Sequence, residues 1–301
     1  MAAARRREAG MGDRTMTLSE AADDRREIVD RYFARMPSAQ ERARIWLYAG
    51  GGAAVIVVGV LLTVAGPWLL GIAVIALGGV GLARGLPLYE AYRDACEAAL
   101  PKPRDAIIDK IRDHELAKVR RRALERLDLT AEDLELAPVD WDPLADAGLG
   151  AAPRDPLVVT GPVPTSRATL GGDGVWRFSR YAVLVLCPTD YHLALYRCVI
   201  DLRVAGLFQE ETHEYHYADV VAVLTAVSDG SDLPAEDDGG LWFEKVLLHE
   251  FQLVVASGDR TRIVFGISDE RHPDQQLRLP PSGIDNVVRT VRTMLRDKKA
   301  A

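Results

Sequence analysis

The stretch IWLYAGGGAAVIVVGVLLTVAGPWLLGIAVIALGGVGLA, residues 45–83, decides the architecture, because its 39 residues include no Asp, Glu, Lys or Arg. One membrane-crossing helix needs about 20 apolar residues to traverse roughly 30 Å of hydrocarbon, so the run is long enough for two. Gly66-Pro67 is a turn dipeptide near its middle. The sequence therefore predicts a membrane helical hairpin with spans at 45–65 and 68–86. Trp46, Tyr48, Trp68 and Tyr89 fall near the span ends, where amphipathic rings favour the membrane–water interface. A single buried helix of this length would require an unusually large soluble core, and residues 1–44 offer no apolar segment of a secretory signal peptide.

Working outward, the charges on the two flanks orient the hairpin. Arg25, Arg26, Arg31, Arg35, Arg42 and Arg44 precede it, Arg84, Arg93, Lys102 and Arg104 follow it, and the turn carries none. The positive-inside rule then places both termini in the cytoplasm of an inner membrane. Arg42, Arg44 and Arg84 are candidates for contact with lipid headgroups, Arg84 by snorkelling. Thr63 is the polar side chain inside the spans, so neither a proton pathway nor a transport route is indicated. The hairpin is rich in glycine, and small residues let helices approach closely in lipid. Gly78, Gly81 and Gly85 can serve either packing of the two spans on each other or an oligomer contact, Gly81 and Gly85 being a GxxxG pair.

The formal net charge of the 301-residue chain is −7, distributed as +2 over 1–44, +3 over 84–127, −7 over 128–174 and −5 over 175–301. That balance argues against nucleic-acid binding. A capping-box pattern at Thr17-Leu-Ser-Glu20 introduces an N-terminal helix through about Arg35. Past the hairpin, Leu88–Leu100 reads as a short helix stopped by Pro101 and Pro103. Arg104–Leu127 reads as a longer one with an apolar stripe of Ile107, Ile111, Val119, Ala123 and Leu127. The stripe has three candidate partners: the C-terminal domain, a second copy of the chain, or the bilayer surface. Arg120, Arg121 and Arg122 on this helix are further lipid-contact candidates, although Glu115 and Glu125 accompany them. Residues 87–133 thus form a cytoplasmic helical stalk, and the acidic Pro/Gly/Ala-rich stretch 134–156 a linker.

From 157 the period turns strand-like. Seven antiparallel strands are expected: Leu157–Thr160, Val175–Cys187, Tyr191–Leu202, Leu207–Tyr217, Val220–Ser228, Leu241–Ser257 and Thr261–Ile267. A final helix follows, with Ser282 and Asp285 at its start and an apolar face of Ile284, Val287, Val288, Val291 and Leu295. The fold class is therefore a membrane α-helical hairpin plus a cytoplasmic α+β domain, a curled sheet or small barrel covered by the last helix. The hairpin Tyr181–Tyr196, the strand start Tyr217–Val223 and the closing helix, within 175–297, resemble the bacterial pleckstrin-homology-like (PH-like) domain. The resemblance implies an autonomous interaction domain over 157–299. Phosphoinositide-binding members carry a basic cluster around the first hairpin, whereas this chain has only Arg177, Arg180 and Arg197 there, so headgroup recognition is not implied.

Catalytic and metal chemistry finds little purchase. His213 and His216 lie three apart on one expected strand beside Glu210, Glu211 and Glu214, and so face opposite sides. His249, followed by Glu250, reads as a hydrogen-bonded strand histidine. Cys96, Cys187 and Cys198 lack metal-ligand spacing and are expected reduced. Gly171-Gly-Asp-Gly174 opens no helix and should not cradle phosphate. The expected protein is non-catalytic and without cofactor. It is embedded in the lipid bilayer and displays an interaction or sensory domain to an unidentified protein partner. The alternative is a structural scaffold that oligomerises through the hairpin and helix 104–127.

Overall fold

The computed structural model describes residues 18–34, 36–37, 39–66, 68–135, 155–230, 246–270 and 272–300. Thr17 of the expected capping box, most of the acidic linker and the expected strand start at Leu241 lie outside them. The chain divides into two compact units, one being Arg31–Pro103 and the other joining the chain up to Asp30 with everything from Arg104 onward.

In the first unit, α2 (Ala39–Ile45) runs through one π-helical turn, Trp46–Gly50, into α3 (Gly51–Ala65). The π-turn ends where the run Gly50-Gly51-Gly52 begins, residues of low helix propensity that tolerate a local change of winding. Gly66 ends α3 at φ 131°, a conformation that a side chain would disfavour. The return helix α4 spans Trp68–Ala99 without interruption, so the separate helix expected from Leu88 does not exist. Pro87 lies inside α4 and removes only one backbone donor, that directed at Ala83. Both helical rods, Gln40–Ala65 and Trp68–Ala99, are long and apolar enough to cross a membrane.

The hairpin closes on glycine. Gly52 and Gly59 from α3 and Gly71, Gly78 and Gly85 from α4 are buried. Their seven-residue spacing keeps one stripe of each helix turned to the other. A Cβ at Gly78 would lie 2.8 Å from the Gly52 carbonyl oxygen, and one at Gly59 would lie 2.9 Å from that of Gly71. Thr63 donates its hydroxyl to the Gly59 carbonyl at 2.8 Å, so this polar group is satisfied inside the apolar run.

The second unit holds α1 (Leu18–Phe33) up to Asp30, α5 (Asp105–Arg126), ten strands and α6 (Ile284–Ala300). The strands are β1 (Leu157–Pro162), β2 (Ala168–Leu170), β3 (Trp176–Phe178), β4 (Arg180–Pro188), β5 (His192–Asp201), β6 (Gly206–His216), β7 (Val220–Asp229), β8 (Val246–Val255), β9 (Arg260–Asp269) and β10 (His272–Gln276). They form one antiparallel sheet in the order β1-β4-β5-β6, a second in the order β10-β9-β8-β7, and the separate ribbon β2-β3. The count exceeds the expected seven because β2 and β10 are too short to show a period and because Val175–Cys187 breaks at Ser179 into β3 and β4. A Cβ on Gly161 of β1 would overlap the Val264 carbonyl of β9, which marks where the two sheets approach.

Between the sheets, Leu184, Leu186, Leu193 and Leu195 meet Phe251, Leu253, Val255 and Ile263, and Ile284, Val287, Val291 and Met294 of α6 close the core. Ser282 caps α6, its Oγ accepting the Ile284 N–H at 3.3 Å. The other face of β4 and β5 is no less buried, with Val183, Val185, Cys187, Ala194, Tyr196 and Cys198 all inaccessible to solvent. α5 packs there and buries Ile108, Val119 and Ala123. The first sheet is therefore sandwiched, with α6 and the second sheet on one side and α5 on the other. Of the three partners open to the α5 stripe, it has taken the C-terminal domain. α5 and α1 up to Asp30 fall in the same compact unit as the strands.

Candidate functional site

Three polar clusters fasten the helices to the β-domain. In the first, the Glu115 carboxylate, 2% exposed, accepts hydrogen bonds from Arg25 Nη1 of α1 at 2.6 Å and from Lys118 Nζ at 2.9 Å. Burial alone would raise its pKa, but the hydrogen bonds from Arg25 and Lys118 outweigh burial and hold Glu115 below the usual carboxylate range. Arg25 Nε also donates to the Leu202 carbonyl at 2.9 Å, so one guanidinium ties α1, α5 and the end of β5 together. Asp30, farther along α1, pairs with Arg203 and lies 3.7 Å from Arg167.

The second cluster centres on Arg177, whose side chain is 4% exposed. Its guanidinium holds Asp109 of α5 through bonds of 2.9 and 2.8 Å and Asp173 through bonds of 3.0 and 2.8 Å. These bonds hold Asp173 well below the ordinary carboxylate range. Gly172 of the glycine loop donates its N–H to Asp105 at 2.8 Å, so that loop seats the start of α5. In the third cluster, Glu210 of β6 accepts the Tyr196 hydroxyl at 2.9 Å and lies 3.4 Å from Arg122 and 3.6 Å from Arg126. Burial, then the neighbouring Cys198 and Glu210, raise the Tyr196 pKa.

These clusters re-sort the residues selected from sequence. Arg42, Arg44, Arg84, Arg120 and Arg121 are exposed, as lipid contact requires. Arg122 is not available in the same way, since Glu210 and Glu125 neutralise it. Gly78 and Gly81 face α3 and Gly85 faces the π-helical turn before it: a Cβ on Gly81 would lie 3.3 Å from Gly52 Cα, and one on Gly85 2.7 Å from the Ala49 nitrogen. They form the intramolecular seam, whereas a Cβ on Gly79 would meet nothing. Both surfaces assigned to the scaffold alternative, the glycine face and the α5 stripe, are thus used within one chain. The three cations around the first β-hairpin are likewise committed, Arg177 as above, Arg180 to Asp201 at 2.9 Å and Arg197 to Glu211 at 3.3 Å.

His213 stacks on Tyr215 with ring centroids 5.8 Å apart, and no group of three ligands suited to a metal occurs among the described residues. His249 Nε2 lies 3.0 Å from Ser268 Oγ and Nδ1 lies 3.3 Å from the Gln276 amide, while burial lowers its pKa. Glu250, 5% exposed, accepts from Ser228 and Gln252 at 3.0 and 2.9 Å. Cys187 and Cys198 are free thiols, each pushed up to about 12 by burial.

A groove lies between β7 and α6, made of two neighbouring hollows of about 430 and 560 Å³ that share Arg292 and Arg296. Val220–Val223 and Thr225 form one wall, and Arg289, Leu295 and Lys299 continue the other. The cations of α6 on this wall are Arg289, Arg292, Arg296 and Lys299. Their spacing at 289, 292, 296 and 299 is helical and places them on one face, which is the signal that marks the wall. The chain matches no family model, no curated protein and no solved structure.

Proposed function

We propose that this protein is a non-catalytic interaction protein of a prokaryotic inner membrane, anchored by its helical hairpin and presenting a PH-like domain in the cytoplasm. The observation that carries the reading is the Arg25–Glu115 pair. α1 precedes the hairpin and α5 follows it, yet both are built into one unit. A hairpin inserted between two segments that pack together must leave and return on one side of the bilayer, which agrees with the basic flanks of both spans. The PH-like assignment is supported by strand order: a four-stranded meander β1-β4-β5-β6, a second meander starting at β7, and a C-terminal helix against the shared core. The β2-β3 ribbon and β10 are additions to that order.

The test is excision of the anchor. Replacing Arg31–Pro103 by a flexible Gly/Ser linker between Asp30 and Arg104 should release a folded, soluble protein from the membrane fraction. A product that stays in the membrane, or that is unfolded although soluble, would refute the division into anchor and domain.

A further inference from the structure

We infer that His192, His216 and Glu214, where the start of β5 meets the end of β6, bind a divalent ion of the zinc class. The site lies apart from the polar clusters that fasten the helices and from the groove beside α6, and it does not depend on how the chain is anchored.

Side chains alternate faces along β6, so His216 shares one face with Glu214, while His213 and Tyr215 stack on the other. Within its own strand His216 therefore has no histidine partner. Across the ladder it has one, because His192 and His216 are directly opposed in the register of β5 and β6. Opposed residues of an antiparallel pair hold their Cβ atoms about 4.5–5.5 Å apart on the same face, close enough for two imidazoles to converge on one ion. The next pair on that face is Ala194 with Glu214. Alanine contributes only a methyl group, which leaves the Glu214 carboxylate room beside the two rings.

His192 is already oriented for coordination. The Thr189 hydroxyl donates to the His192 carbonyl at 2.9 Å and accepts the backbone N–H groups of Tyr191 and His192 at 3.3 and 3.1 Å. Its one proton is thereby spent, so in the 3.2 Å contact between this hydroxyl and His192 Nδ1 the ring is the donor. A ligating histidine is commonly fixed in this manner, through the nitrogen that the metal does not take. Nε2 then faces Glu214 Oε2 across 4.0 Å, too far for a hydrogen bond. Nitrogen and oxygen ligands about 2.0–2.1 Å from a tetrahedral zinc ion stand about 3.3 Å apart, and Glu214, whose side chain is 60% exposed, closes that difference by rotation. No three ligands already converge among the described residues; the exposed His216 and Glu214 must turn onto the fixed His192. Two imidazoles and one carboxylate suit zinc, whereas calcium and magnesium take oxygen ligands. A bound ion would tie the end of β6 to the start of β5.

The experiment titrates Zn²⁺ into the full chain in phosphatidylcholine nanodiscs, in competition with a fluorescent zinc chelator, and repeats urea unfolding with and without Zn²⁺. One ion per chain should bind and raise the unfolding midpoint, since it favours the folded state. His192→Asn, His216→Asn and Glu214→Gln should each weaken binding by about tenfold or more, at least the loss that follows removal of a group orienting a metal ligand. His213→Asn, on the opposite face of β6, and His114→Asn, on α5, should leave the affinity unchanged. His216→Asn replaces an exposed side chain and so carries the test even where His192→Asn fails to fold. Three results would overturn the inference: no binding in competition with the chelator, an equal loss in His213→Asn, or undiminished binding in His216→Asn, which would mean an adventitious ion only.

Discussion

Replacing Arg25 by Met and Glu115 by Leu, singly and together, tests how α1 and α5 are held. Arg25→Met leaves a carboxylate whose side chain is 3% exposed with Lys118 as its remaining cation. Glu115→Leu leaves a guanidinium whose side chain is 14% exposed with the Leu202 carbonyl as its remaining acceptor. Removing one member of a buried pair costs about 3 kcal/mol, the lower end of the usual range because each survivor keeps one partner. The double variant, in which two apolar side chains of similar volume meet, should lie within about 1 kcal/mol of the parent. Simple addition would give about 6 kcal/mol, so the expected coupling is about 5 kcal/mol, a large share of the stability of an ordinary domain. The assay is urea unfolding of the full chain in neutral detergent, followed by tryptophan fluorescence in a Trp46→Phe, Trp68→Phe background that silences the hairpin. Each single substitution should lower the midpoint by roughly 1 to 1.5 M at ordinary urea slopes. Single variants that unfold with the parent, or a double variant as unstable as the sum, would refute the claim that this pair joins α1 to α5.

Three further outcomes follow from the same geometry. Because Glu115 is held below its unfolded-state pKa, its contribution is complete above about pH 4.3 and is lost as the pH falls through the depressed folded value; Glu115→Gln should flatten the acid limb of a stability–pH curve, and an unchanged limb would argue against the assignment. Gly78→Ile should lower the melting temperature of the hairpin by circular dichroism, since a Cβ there meets Ile56 and the Gly52 carbonyl, whereas Gly79→Ile, which meets nothing, should not; equal effects would dissolve the glycine seam. In the folded protein at neutral pH, Cys187 and Cys198 should resist maleimide, being buried with thiols pushed up to about 12, while the half-exposed Cys96 reacts; rapid modification of all three would mean that α5 does not cover the sheet.

Much of this organisation was legible in the sequence, and the omissions have physical causes. The uncharged run 45–83 announced the hairpin directly, because hydrocarbon tolerates few alternatives. The destination of the α5 stripe stood open among three partners although a signal that favoured one of them existed. Tyr181–Cys187 is apolar at every position, whereas a strand with one wet face alternates. Burial of both Val183 and Leu184, Val185 and Leu186 is what that run encoded: a strand covered twice, with α5 as the second cover. The continuation of α4 through Pro87 was not legible, because one missing donor does not stop a long helix whose other bonds continue. The short β2 and β10 carry too few residues for any period. The helical spacing of Arg289, Arg292, Arg296 and Lys299 is visible in the sequence, whereas the position of β7 beside them, which makes the groove, is not.

The central claim, that both flanks of the hairpin lie on the cytoplasmic side together with the β-domain, is tested most directly by paired cysteine labelling. In a cysteine-free variant, Gly66→Cys in the hairpin turn and Tyr191→Cys, at an 82% exposed position of the β-domain, are treated separately in intact cells with a membrane-impermeant maleimide. Modification at 66 but not at 191, with 191 becoming reactive once the membrane is permeabilised, is the predicted result. Modification at 191 in intact cells would contradict the account.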